Sequence, residues 1–162
     1  MQFNPRRFSK SSGNKSWCDM YQDTITLFNR KDGGRGQGDI WLPTVIKNVN
    51  LVIDKAVINA QYGPESRDNA VLNVRYKTDD GNIMVAGKPW MPTMEWDMTM
   101  DSLTFAEGDF FWAGEWNGGI AQDTDYGDES FYNYMNRTKD YVFAITSVSK
   151  LSVIPHFEIV GK

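Results

Sequence analysis

Cysteine and histidine are nearly missing from this chain: its 162 residues hold one of each, Cys18 and His156. A single cysteine excludes a disulfide within the chain, and two such residues cannot supply the four nitrogen and sulfur ligands of a structural zinc site. The lone histidine also narrows nucleophilic catalysis, because both Ser-His-Asp and Cys-His units need an imidazole base. His156 sits in Pro155-His156-Phe157, opposite in parity to Leu151, Val153, Phe157 and Ile159. It is expected to face away from the core. Cys18 lies beside Trp17 with no redox or protease signature around it. No apolar run reaches the length of a membrane span, and the basic residues near Met1 have no apolar stretch behind them. The glycines at 33–38 lack the Gly-Lys-Ser/Thr ending of a phosphate loop. The expectation is no catalytic residue, no metal and no cofactor.

Basic residues are absent from one long stretch. Residues 89–136 carry no Lys or Arg and 10 acids, whereas residues 1–88 sum to +4 and residues 137–162 to +2, for a net charge of −4. The first 16 residues are the reverse, with Arg6, Arg7, Lys10 and Lys15 and no acid. They show neither helical nor strand periodicity and read as a flexible basic arm that orders only against a partner. Residues 17–162 read as one domain, with an acidic, aromatic-rich insertion around 90–135.

What is present in quantity is β-pattern. A short helical turn is expected around Ser16–Tyr21. Thr24–Arg30 alternates, with Ile25 and Leu27 opposing Thr24 and Thr26. Trp41–Ile58 reads as one long bent strand or two. Leu72, Val74 and Tyr76 against Asn73, Arg75 and Lys77 lead into Asp79-Asp80-Gly81-Asn82 and Ile83–Ala86, the pattern of a β-hairpin. Phe105–Trp116 reads as strand. Tyr141–Val148 and Leu151–Val160 close the chain as two strands joined by a Ser149-Lys150 turn. Short helices are expected at Thr93–Asp101 and Asp128–Arg137, the second with acids at its positive end. The fold class is mainly β: a small antiparallel barrel or sandwich with two short helices and long loops.

Aromatic residues crowd the acidic stretch. Eleven of them fall between Trp90 and Tyr134, and Phe110 and Phe111 must point to opposite faces of one strand. Phe110, Trp112 and Trp116, on one parity, are therefore expected at a partner interface, along with Arg6, Arg7, Lys10 and Lys15. Asp123, Asp125, Asp128 and Glu129 have the flavour of a calcium loop, but they lack the EF-hand's glycine at position six and its glutamate at position twelve.

Several segments together resemble the small head–tail connector proteins of tailed bacteriophages (head-completion, stopper or minor capsid proteins). The segments are Asp23–Arg30, Trp41–Val49, Asp140–Val148 and Ile154–Ile159. The resemblance implies a β-barrel with extended loops, assembled as a homo-oligomeric ring below the portal, without catalysis. It would contact portal or adaptor and tail proteins, let DNA pass without specific binding, and reside in the virion after assembly in the host cytoplasm. Asp123, Asp125, Asp128 and Glu129 would then face the lumen or an acidic surface, where carboxylates keep a duplex from being held. Two other readings fit the residues: an inhibitor whose acidic face imitates DNA, and a calcium- or sugar-binding β-module.

Overall fold

A computed structural model describes residues 20–57 and 66–162. The expected arm, with Arg6, Arg7, Lys10 and Lys15, lies outside the described residues, as do Cys18 and most of the turn expected at Ser16–Tyr21. Among the described residues ten strands follow in chain order: β1 Asp23–Asp32, β2 Asp39–Val57, β3 Ser66–Arg75, β4 Lys77–Asp79, β5 Asn82–Val85, β6 Lys88–Pro89, β7 Phe110–Trp112, β8 Ala121–Gln122, β9 Val142–Leu151 and β10 His156–Gly161. A 3-10 turn at Asp123–Tyr126 and one α-helix, α1 at Phe131–Thr138, lie between β8 and β9.

Two strands set the architecture by changing partners along their length. The first half of β2 pairs antiparallel with β1, Asp32 opposite Asp39 and Thr26 opposite Val45. From Asn50 onward it pairs with β3 instead. Likewise β9 pairs with β7 over Val142–Ala144 and with β10 beyond. One sheet therefore runs β8-β2-β1-β7-β9 and the other β2-β3-β10-β9, a sandwich-like arrangement joined through the bent strands rather than a closed barrel. A separate hairpin ribbon, β4-β5-β6, turns at Asp80 and Gly81, both at positive φ (51° and 79°). That is the backbone a two-residue turn between right-twisted strands demands.

Ile25, Leu27, Ile46, Val49, Leu72, Val74, Phe111, Phe143, Phe157 and Ile159 fill the space between the sheets. The opposite face of the first sheet carries a second core, where Phe28, Trp41, Phe110 and Val142 meet Phe131 and Met135 of α1. Because both its faces are covered, β1 is buried continuously from Ile25 to Asn29, as expected of a strand inside two layers. The same logic explains the two apolar faces of β9: Phe143 and Ile145 enter the first core and Val142 the second.

Four expectations are corrected. Thr93–Asp101 is not a helix. A single turn closes where the Glu95 N–H bonds the Pro92 carbonyl, and Met98 at φ 57° then breaks any helical continuation. The strand expected over Phe105–Trp116 shrinks to Phe110–Trp112, since Gly108 (φ 95°) and a turn from Asp109 N–H to the Ala106 carbonyl interrupt it. The helix expected from Asp128 starts at Phe131, where the Ser130 hydroxyl accepts the Asn133 N–H at 3.1 Å as N-cap. The closing hairpin turns after Leu151, not at Ser149-Lys150, which lie within β9.

Candidate functional site

Beside its turn, the β1–β2 hairpin meets the 93–109 segment around a cavity of ≈ 350 Å³, lined by Arg30, Asp32, Asp39, Trp96, Met98, Glu107 and Asp109 among others. Asp109 anchors its floor. The carboxylate is only 4% exposed and accepts three N–H groups: Arg30 backbone at 2.8 Å, Asn29 Nδ2 at 2.9 Å and Ala106 backbone at 3.2 Å. Asn29 spends its other amide proton on the Thr104 carbonyl at 2.7 Å, so β1 and the 104–109 segment are stitched by one side-chain pair. Burial nevertheless dominates and pushes the Asp109 carboxyl up to about 6, against the pull of those donors and of nearby Arg30.

The cavity's rim is acidic. Asp32 and Asp39 face each other across β1–β2, an unfavourable like-charge cross-strand pair that Arg30 relieves at 4.0 Å from Asp39. Arg30 packs close to the backbone at Gly108, whose missing Cβ would lie 3.4 Å from the guanidinium carbon. Trp96 forms one wall. It is 8% exposed, and its indole N–H has no acceptor among the described residues.

The four acids expected at a lumen or acidic surface part company. Asp123 is a structural latch: its carboxylate accepts Trp41 Nε1 at 2.8 Å, the Phe131 N–H at 2.9 Å and the Asp39 N–H at 3.1 Å. It thereby ties the β2 edge, the 3-10 turn and the start of α1 together. Glu129 receives two hydrogen bonds from Arg137, one at 2.6 Å, and the guanidinium holds its carboxyl below the ordinary range. Asp125 and Asp128 are exposed. The loop's carboxylates thus point to different partners and do not converge, and among the described residues no group of three or more His, Cys, Asp and Glu is placed to hold a metal.

The aromatic trio expected at an interface is also redistributed. Phe110 is fully buried, stacked at 4.7 Å on Phe28 and edge-on to Trp41 at 4.9 Å. It cannot meet a partner without opening the second core, and that expectation is corrected. Trp112 and Trp116 are half-buried against the same core. The outer face of Trp112 lies under Lys139, 5.5 Å from the ring centre. Trp116 is held by Thr26, whose hydroxyl donates to the Gly114 carbonyl (2.8 Å) and accepts the Trp116 N–H (3.0 Å). What produced the aromatic excess is a second core, made possible because α1 covers the outer face of the first sheet.

His156 is half-buried on the β10 face opposite Phe157 and Ile159, its Nδ1 2.7 Å from the Ile154 carbonyl. Unexpected apolar exposure lies elsewhere. Val153 (98% exposed) and Ile154 form the tip of the β9–β10 hairpin, and Met94 (96% exposed) with Met98 and Met100 studs the 93–101 loop. Alternation places Val153 on a strand face, but residues 152–155 form the turn and take it out of the strand.

Fold and site define an antiparallel β-sandwich whose helix seals a second, aromatic core. Residues 20–162 match the model of a family of unknown function (DUF6751), and the chain belongs to that family. Neither the curated proteins nor the solved structures contain a match.

Proposed function

We propose that the chain is a non-enzymatic structural subunit of a tailed-phage particle, a head–tail connector of the head-completion or stopper kind that forms a ring between portal and tail. The observation that carries the reading is the apolar exposure at two loop tips, Val153-Ile154 and Met94, beyond a frame whose cores are otherwise closed. Apolar exposure grouped on one loop, as at Val153-Ile154 and at Met94, Met98 and Met100, is what contact surfaces collect, and methionines suit surfaces that must adapt to a partner. The connector-like segments fall on β1, β2, β9 and β10, which build both sheets. The likeness therefore concerns the frame, and the partner specificity lies in the loops. Asp125 and Asp128 are the carboxylates free to face a DNA path; Asp123 and Glu129 are committed within the chain.

The test is Val153→Asp combined with Ile154→Asp, assayed for capture by purified portal protein. Both residues are exposed, so the pair leaves the thermal midpoint unchanged. Loss of capture supports the reading; full capture by this variant and by a Met94→Asp variant overturns it.

A further inference from the structure

Methionine is concentrated where the chain is open. Four of its eight methionines, Met91, Met94, Met98 and Met100, fall within ten residues, and the last three are 96%, 45% and 36% exposed. Met135, by contrast, is sealed in the second core. The exposure is built in, because contacts along the loop hold its shape. Trp96 is buried at its centre, and the Asp97 carboxylate accepts the hydroxyls of Thr99 and Ser102. At the base, the Met91 N–H bonds the Leu103 carbonyl at 2.9 Å and the Leu103 N–H bonds the Pro89 carbonyl at 3.1 Å. Met98 is held at φ 57°, a left-handed backbone that such a residue adopts only where its surroundings fix it. The loop therefore cannot fold its thioethers away from water without giving up these contacts.

We propose that the 93–101 loop is a reversible oxidation switch: in the free subunit, hydroperoxides convert Met94, Met98 and Met100 to sulfoxides, which leaves the fold intact and abolishes docking. This rests on the connector reading above, in which Met94 meets the partner. In the forward step the sulfur takes one oxygen atom and is oxidised by two electrons, while the peroxide O–O bond breaks to leave water or an alcohol. A thiol-dependent sulfoxide reductase reverses it: two thiols become a disulfide and the oxygen leaves as water. The sulfoxide is polar and chiral where the thioether was flexible and apolar, so it suits water and not an adaptable contact surface. Met135 differs in both respects. Its sulfur is reached only when α1 leaves the first sheet, and a sulfoxide there would be a buried polar group.

The experiment is a hydrogen peroxide titration of the full chain, read by peptide mass spectrometry. The chain carries Cys18→Ser and Met20→Leu, so that neither the thiol nor the exposed methionine outside the loop contributes. Met94 should oxidise first and Met135 at least about tenfold more slowly, with the thermal midpoint unchanged once the loop is fully oxidised. Capture by purified portal protein should fall about tenfold for each sulfoxide placed in the contact. Sulfoxide reductase with dithiothreitol should restore it, and portal bound beforehand should slow oxidation at Met94. Equal rates at Met94 and Met135, or a thermal midpoint that falls in step with loop oxidation, overturn the site. Undiminished capture by the loop-oxidised chain, or capture that the reductase fails to restore, overturns the switch. Absence of capture before any peroxide is added removes the connector reading and the docking half of the switch with it, while the oxidation order, which needs no partner, still decides the site.

Discussion

Replacing Asp123 by alanine should destabilise the fold severely for a residue that looks like one of many surface acids. Three donors lose their acceptor: Trp41 Nε1, the Phe131 N–H and the Asp39 N–H. Asp39 lies beside the 33–38 turn of the β1–β2 hairpin and is only partly buried, so water can replace the carboxylate there at little cost. Trp41 and Phe131 are core residues, so their donors are the expensive ones, at about 1.5 kcal/mol each for a bond to a charged acceptor. The expected loss is about 3 kcal/mol, or about 1.5 M in urea midpoint for a slope of about 2 kcal/mol/M. Asp123→Asn should cost about half as much, because Oδ1 alone serves both Trp41 and Phe131. Asp125→Ala and Asp128→Ala, at exposed positions, should stay within about 0.5 kcal/mol of the parent. Urea titration followed by tryptophan fluorescence reads all four. An Asp123→Ala midpoint within about 0.3 M of the parent, or a loss shared equally by Asp125→Ala, would refute the latch and return all four acids to a single functional surface.

Other outcomes follow from the same geometry. With its carboxyl pushed up to about 6, Asp109 binds its proton more tightly folded than unfolded. Its favourable contribution is therefore full below the ordinary aspartate value and is lost as pH rises through about 6. Relative to Asp109→Asn, the parent should lose up to about 3 kcal/mol between pH 3.5 and 7.5, measured by paired urea titrations; a flat difference would contradict the burial argument. Thr26→Val removes both bonds that hold the 114–116 segment. It should cost about 2 kcal/mol and raise amide exchange at Trp116.

Much of the frame is legible in the sequence because alternation reports one buried face directly. Leu72, Val74 and Tyr76 lie where parity puts them, and Asp80-Gly81 make the turn their chemistry favours. The misreadings have one physical source. Period-2 reasoning assumes a single buried face, and the first sheet has two, so Phe110 looked like surface excess when it belonged to a second core. Local patterns also fail where a distant side chain sets the backbone. Asp109 gathers donors from Asn29 and Arg30, some 80 residues away, and nothing in its neighbours separates it from the nine other acids of 89–136. Asp123 is the same case: its tie to Trp41 spans 82 residues. Glu129, just before α1, and Arg137, in its last turn, are eight apart and within reach of sequence reasoning.

The central claim is assembly, and the most direct measurement is negative-stain microscopy of the purified chain, alone and mixed with purified portal protein. The account predicts closed rings of the chain, or rings seated coaxially on the portal. Particles that remain single sandwiches at every concentration and leave the portal bare would contradict it.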